Sequence, residues 1–268
     1  MAFYSLIRIF ANMNEKNKIS VVINTYNAEQ RLEQVLEAVK DFDEILICDM
    51  ESTDHTLDIA QKHGCRIVTF ERKQYNIVEP AREYAIHEAQ NEWVLVVDAD
   101  EIVTSELKDF LYDIIQKDNC PDGLFIPRKN FFMGRFMRYF YPDYILRFFR
   151  KSKTHWPAII HSTPQIAGKT EKIPSNEEQL AFIHLANDDI ERIVNKTNQY
   201  TDNELKHRQD KNYGLRALII RPLWRFIRNY FLKCGFRDGI PGFIRATLDA
   251  FYQFVLVAKI IEKRYQNK

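Results

Sequence analysis

No Gly-x-Gly-x-x-Gly occurs in this chain of 268 residues, and no Gly-x-x-x-x-Gly-Lys. Those absences argue against a dinucleotide-binding fold of the usual kind and against a phosphate-loop nucleotidase. The four cysteines, Cys48, Cys65, Cys120 and Cys234, are scattered, without a Cys-x-x-Cys pair or metal-type spacing. They read as reduced thiols of a cytosolic protein, with Cys48 as plain core. No stretch is long enough and free enough of charge to span a bilayer. Residues 251–261 are apolar but few, and Lys259 interrupts them. The first ten residues are apolar around Arg8 but show no clear cleavage site, so 1–17 read as a peripheral arm rather than a signal peptide. No internal repeat is visible.

What is present is a globular composition, 46% hydrophobic and 28% charged. The charge is unevenly placed. Residues 206–268 carry 14 Lys and Arg against 4 Asp and Glu, whereas the preceding part carries 24 against 33. A basic end on an acidic body points to an anionic partner, membrane or nucleic acid.

Apolar, β-branched runs at 19–23, 45–48, 66–70 and 93–97 predict strands. They alternate with helical spacing at 29–40 (Leu32, Val35, Leu36, Val39), 55–63, 79–90 and 105–117. Asp54 or Ser52 is expected to cap the second helix and Ser105 the fourth. The alternation predicts a parallel, doubly wound α/β sheet. Beyond Gly123 the character changes. Short strands are expected at 124–126, 144–149, 159–161 and 182–184, then a polar helix over 188–207. Two more helices are expected at about 215–232 and 243–264. The aromatic stretch Phe131, Phe132, Phe136, Tyr139, Phe140 and Tyr141 is too dense for a solvated loop; it is core or a contact surface for acceptor and lipid.

The most informative segment is Asp98-Ala99-Asp100-Glu101, directly after the buried strand Trp93-Val94-Leu95-Val96-Val97. Ligands of open α/β sheets bind beyond the carboxyl ends of the strands, where carboxylates can hold a hard divalent cation and, through it, a diphosphate. A second Asp-x-Asp, Asp41-Phe42-Asp43, precedes a strand. It falls on the opposite edge and reads as a solvated turn. Asn24 to Asn27 and Asp49 follow the first two strands, on the same edge as Asp98.

Val21-Val22-Ile23-Asn24-Thr25-Tyr26-Asn27, Asp49-Met50-Glu51-Ser52-Thr53-Asp54-His55-Thr56, Ala81-Arg82 and Val96-Val97-Asp98-Ala99-Asp100-Glu101 stand in an order and at intervals that resemble the inverting glycosyltransferases of family 2. The resemblance covers about 18–185. A closer likeness, to the branch with lipopolysaccharide core glucosyltransferases, rests on Arg128-Lys129-Asn130-Phe131-Phe132-Met133-Gly134, Tyr141-Pro142-Asp143-Tyr144, Arg147-Phe148-Phe149-Arg150, His161, His184 and Gly235-Phe236-Arg237-Asp238-Gly239. Where that branch usually has Glu after the first of these histidines, this chain has Ser162.

The resemblance implies a GT-A fold, a Rossmann-like, mostly parallel sheet flanked by helices. Residues 18–205 would form the catalytic domain and 206–268 a basic, amphipathic helical extension. It implies that Asp49 meets the base of a nucleotide sugar, with Thr25, Tyr26 and Asn27 lining base and ribose and Arg82 helping to hold the nucleotide. Asp98 would contact ribose or the metal shell and Asp100 would ligate Mg²⁺ or Mn²⁺, with His161 or His184 completing the shell. The general base for the acceptor hydroxyl would be Asp143 or Glu101. Each residue also has a plainer reading: Asp49 as a cap, Asp143 as a turn residue after Pro142, a strand-end histidine as structural.

In the basic end, Arg221, Arg225 and Arg228 fall on one helical face, Leu223, Phe226, Ile227 and Tyr230 on another, with Trp224 at headgroup depth. That pattern fits an interfacial helix or one packed on the domain; nucleic acid fits less well, for want of a binding module. The expected activity is metal-dependent, inverting transfer from a nucleotide-diphosphate sugar, a UDP-sugar by preference, to a lipid-linked or cell-envelope saccharide. The expected location is cytoplasmic, peripheral at an anionic membrane face. A sugar nucleotidyltransferase would need a Gly-rich phosphate loop near the start, and Asn24 to Asn27 offers none. A non-catalytic membrane scaffold is the remaining rival.

Overall fold

The computed structural model describes residues 17–72, 78–159, 162–185, 190–208 and 211–266. The chain divides into two compact units. One comprises residues up to Arg128 together with Pro142–Leu185; the other comprises Lys129–Tyr141 and the residues from Ala186 on.

The first unit is built on a seven-stranded sheet. β1 (Ile19–Thr25), β2 (Glu44–Asp49), β3 (Arg66–Thr69) and β4 (Trp93–Asp98) run parallel in the order β3-β2-β1-β4. The apolar runs form these strands because both faces are covered, and Val21, Val22, Ile23, Leu46, Leu95 and Val97 are wholly buried. Each such side chain contributes about 1.5–3 kcal/mol. Helices α1 (Glu29–Val39), α2 (Thr56–Lys62), α3 (Glu79–Glu88) and α4 (Ser105–Ile115) make the crossovers. α1 buries Leu32, Val35, Leu36 and Val39, as the spacing predicted.

The cap of α4 is Thr104, not Ser105. Thr104 is extended and its Oγ1 accepts the Leu107 N–H at 3.1 Å, while Ser105 is already helical. Asp54 does serve α2, accepting the Thr56 N–H at 3.0 Å. Asp43, in the other Asp-x-Asp, is more than a solvated turn: it accepts the Ile19 N–H at 2.9 Å and the Tyr112 hydroxyl at 2.6 Å, anchoring the amino end of β1.

Beyond β4 the sheet continues out of sequence order. β9 (Ile145–Arg150) inserts antiparallel between β4 and β6 (Gly123–Ile126), and β12 (Thr170–Lys172) closes that edge. Phe148 of β9 stacks on Trp93 of β4, with ring centroids 5.0 Å apart and planes 5° from parallel. A short ribbon, β10 (Thr154–His155) with β11 (Gln165–Ile166), lies in the region where a strand over 159–161 was expected. Ile159 instead sits in an exposed bend, and Ile160 and His161 fall outside the described residues. β5 (Glu101–Ile102) pairs antiparallel with β13 (Phe182–His184), setting His184 opposite Glu101.

β7 (Arg128–Phe132) carries the chain from its first residue into the second unit, where it forms a hairpin with β8 (Arg135–Phe136) turned by Met133 and Gly134. Both turn residues have positive φ (51° and 72°), the two-residue geometry that matches strand twist. Helices α5 (Ile190–Arg208), α6 (Leu215–Ile227) and α7 (Gly239–Gln266) complete it, with a single wide turn at Arg228–Leu232. The dense aromatic stretch is partly core here. Phe132, Met137 and Tyr139 are buried with Ile193, against Phe140, Ile244 and Leu248. Buried Asp238 accepts the N–H groups of Arg138 and Tyr139, at 3.0 and 3.2 Å. At Gly242 a Cβ would fall 2.0 Å from the Gly235 carbonyl oxygen, so only glycine lets this corner close.

Candidate active site

Register brings the strand-end residues together. Thr25 of β1 lies beside Asp49 of β2, and Asn24 beside Asp98 of β4. With strands about 4.8 Å apart, Asp49 and Asp98 flank the end of β1 on one sheet edge.

Asp49 is buried. Its Oδ1 accepts the hydroxyls of Thr25 (2.9 Å) and Ser52 (2.6 Å), and its Oδ2 the Ser52 N–H (2.9 Å). Asn27, held at φ 49°, gives its N–H to Ser52 Oγ and accepts the Thr53 N–H on its side chain. The Ala28 N–H reaches Thr56 Oγ1 at 2.8 Å. The loops after β1 and β2 are thus tied to each other, and Tyr26 projects from them, exposed, with the Arg72 guanidinium 3.9 Å above its ring.

Asp98 is gripped from two sides. Arg82 of α3 donates to Oδ1 at 2.5 Å and Arg147 of β9 to Oδ2 at 2.8 Å. Both guanidinium groups lie over the buried Trp156 ring, at 5.0 and 5.3 Å. Burial opposes ionisation of Asp98, but Arg147 and Arg82, with Arg128 beyond them, outweigh it and hold the carboxyl well below the usual carboxylate range. Glu101 is fully buried; it accepts the Asp98 N–H at 3.1 Å and Arg128 Nη1 at 3.1 Å. Burial, reinforced by the Asp98 charge, raises its pKa despite the nearby arginines. Arg128 also donates Nε and Nη2 to Asp143 Oδ2, at 3.0 and 2.7 Å.

Asp100 stands apart from this cluster. Its side chain is 35% exposed, 3.4 Å from His184 Nε2 and 4.0 Å from Arg31 Nη1. The Leu185 N–H donates to the Asp100 carbonyl at 2.7 Å, fixing the approach of β13. Among the described residues no three His, Cys, Asp or Glu side chains gather into a metal cage. Asp100 and His184 offer a carboxylate and an imidazole, a pair suited to a cation that keeps phosphate and water among its ligands.

The structure thus ties Thr25, Asn27 and Asp49 together through Ser52, with Tyr26 on the same loop, links Arg82, Asp98, Glu101 and Asp143 in one charge cluster through Arg128 and Arg147, and sets Asp100 beside His184. His161 lies outside the described residues. Sequence reasoning gave no role to Arg147, Arg128 or Trp156. Arg147 had a signal: a charge inside an apolar strand requires a buried partner. Ser162, at the position of the departure, donates its hydroxyl to the Pro157 carbonyl at 2.6 Å, and its own carbonyl accepts the Trp156 indole N–H at 3.2 Å. It closes the turn that holds Trp156.

Asp98→Asn is expected to destabilise the protein. Removing one partner of a buried pair costs about 3–5 kcal/mol. The lower end applies, because 27% of the Asp98 side-chain surface stays exposed. Because its folded pKa is depressed, the Asp98 contribution is present above the unfolded value of about 3.9 and is lost as pH falls towards the folded value. Urea unfolding at pH 7 and pH 3.5 measures this, and the gap between wild type and variant should narrow at the lower pH.

A mostly parallel sheet flanked by helices, with this acidic carboxyl edge, is a GT-A type of fold. The sequence profile described as Glycosyl transferase family 2 matches residues 20–173, and the chain belongs to that family. It is 30% identical to an uncharacterized glycosyltransferase of Rickettsia conorii, over 96% of this chain and 94% of that one. It is 25% identical to the lipopolysaccharide core biosynthesis glycosyltransferase LpsC of Rhizobium meliloti, over 94% of each. Among solved structures it is similar to S. aureus TarS 1-349 in complex with UDP, at 18% identity and a TM-score of 0.48, covering 94% of this chain and 92% of that one.

Proposed function

We propose that the protein transfers a sugar from a nucleoside-diphosphate sugar to a saccharide hydroxyl, with inversion at the anomeric carbon. The observation that carries this reading is the division of labour along one sheet edge. Asp98, half-buried and bound by two arginines, lies two residues from Asp100, whose neighbour is His184 at 3.4 Å. The similarity to LpsC favours a lipid-linked, cell-envelope saccharide as acceptor.

Tyr26 would offer a ring face to the base, with Asp49, Thr25 and Asn27 fixing the loops around it. Arg82 carries a buried Nε without a hydrogen-bond partner, and its guanidinium, anchored on Asp98, would favour the diphosphate. Asp98 and Glu101 would act as positioning residues, since both are committed to arginines. Asp100 and His184 would hold Mg²⁺ or Mn²⁺, which neutralises charge on the leaving diphosphate. Asp143, oriented by Arg128, would take the acceptor proton as the new carbon–oxygen bond forms and the bond to the diphosphate breaks.

Incubation with a panel of nucleotide sugars, with Mn²⁺ or EDTA, tests this. The expected result is metal-dependent release of nucleoside diphosphate from at least one donor, with a product anomer opposite to that donor's by NMR. Release of inorganic pyrophosphate would indicate nucleotidyl transfer instead. Donor binding without turnover, at any metal concentration and with saccharide acceptors present, would indicate a scaffold.

A further inference from the structure

The second unit exposes apolar surface that its own packing does not use. On α6, Leu215, Ile219, Ile220, Leu223 and Trp224 stand in solvent, Leu215 at 71% and Trp224 at 56% exposure. On α7, Ile240, Phe251 and Phe254 are exposed. This outward face differs from the one the sequence pattern suggested. Phe226 and Tyr230 pack edge-on against Phe243, with centroids 5.6 Å apart in each case, and so are half-buried.

Next to this surface lies a cavity of about 340 Å³ within the helical unit. Lys196, Arg225 and Arg245 line it, with Tyr200 and Tyr252. The one acidic residue of its lining, Asp249, is already engaged by the Tyr139 hydroxyl (3.0 Å) and Asn229 Nδ2 (2.8 Å), and stands 3.4 Å from Arg245 Nε. Three cations thus line it with one carboxylate, which Arg245 already meets, and the Tyr252 hydroxyl donates to Glu204 at 2.6 Å. Arg225 follows the exposed Trp224 directly, and Tyr252 follows the exposed Phe251, so the cavity wall and the apolar surface are adjoining faces of the same helical turns. Cavities of roughly 300–1,000 Å³ are those that hold small ligands.

We propose that the helical unit docks on a phospholipid bilayer, its exposed apolar side chains entering the headgroup–acyl boundary and the Lys196–Arg225–Arg245 cavity taking a lipid headgroup phosphate. The surplus of 14 basic over 4 acidic residues in 206–268 complements an anionic leaflet. Among the described residues no helix is long and apolar enough to cross the bilayer, so the contact is interfacial. Burying exposed aromatics beside a bound phosphate combines the two signals that stable surface attachment requires.

Liposome flotation of the full chain tests this without reference to transfer activity, so a failed donor assay and a failed docking assay remain distinct. Vesicles of phosphatidylcholine alone and with phosphatidylglycerol are the probes. The intact protein should float with the anionic vesicles and far less with the neutral ones, and the difference should shrink as salt shortens the Debye length below about 8 Å. Lys196→Gln and Arg225→Gln should each weaken binding about fivefold, while Arg225→Lys retains it. Leu223→Ser with Trp224→Ser should weaken binding to a degree that salt does not alter. These side chains are exposed, so circular dichroism should show an unchanged fold. Inorganic phosphate at millimolar concentration separates the sources of the anion. Weak competition supports a headgroup held together with its chains. Full displacement, equal flotation on both vesicle types, no flotation at all, or wild-type binding by the Lys196→Gln/Arg225→Gln protein would each overturn the proposal.

Discussion

Asp143→Asn should lower kcat by about 10²–10⁴-fold, the range a positioned general base supplies, while leaving nucleotide-sugar affinity nearly unchanged. The reason lies in when the group is needed. The acceptor proton is lost only as the new bond forms, so binding of the donor does not call on Asp143. Two donors of Arg128 hold one oxygen of the Asp143 carboxylate, and 36% of that side chain is exposed. Glu101 makes the opposite case. It is fully buried and holds Arg128 from behind, so Glu101→Gln should disturb the orientation of Asp143 rather than remove the base. The pH–rate profile separates the two. The ascending limb should vanish in Asp143→Asn and persist, displaced, in Glu101→Gln. If Glu101→Gln loses the limb and Asp143→Asn is normal, the base is Glu101; if neither variant moves the profile, both assignments fail.

The parallel half of the sheet was legible because its signal is local. Each strand of β1 to β4 is a short apolar run, and each crossover helix repeats its apolar residues at helical spacing. What followed was not local. Trp93 pairs with Arg150, so the insertion of β9 beside β4 depends on residues 57 positions apart. β12 consists of Thr170, Glu171 and Lys172, all exposed, and carries no apolar pattern at all. The expected strand over 159–161 followed from two adjacent isoleucines, but Ile159 is exposed in a bend.

The site was readable by position and unreadable by partner. That Asp98 and Asp49 share an edge follows from the direction of the strands, and Asp43 fell on the other edge for the same reason. Whether a carboxylate is open to a ligand or committed to the protein depends on side chains arriving from elsewhere. Asp98 receives Arg82 from a helix 16 residues earlier and Arg147 from a strand 49 residues later. Those contacts leave Asp98 bound by two arginines and Asp100 with looser neighbours, His184 at 3.4 Å and Arg31 at 4.0 Å. The basic end repeats the lesson: helical spacing identified an amphipathic segment, but its packing partner Phe243 decided which face was left outside.

The contrast between Asp98 and Asp100 makes Asp100→Asn the more informative substitution within the pair. Its ion-pair neighbours stand at 3.4 and 4.0 Å, and the side chain is partly exposed. Exposed pairs of this kind are worth about 0–1 kcal/mol, so stability should hardly change, in contrast to Asp98→Asn. Transfer should nevertheless fall by about two to three orders of magnitude, the scale on which one group stabilising transition-state charge is felt. His184→Asn should follow the same course if the two side chains serve one cation. A readout besides activity is Mn²⁺ binding in the presence of nucleoside diphosphate, followed by the loss of the free-ion electron paramagnetic resonance signal. Both variants should bind Mn²⁺ more weakly, and Asp98→Asn, where it remains folded, should lose nucleotide affinity first. A folded Asp100→Asn protein with near-normal transfer and unaltered Mn²⁺ binding would remove Asp100 from the site, and with it the reason for placing a metal between this carboxylate and the diphosphate.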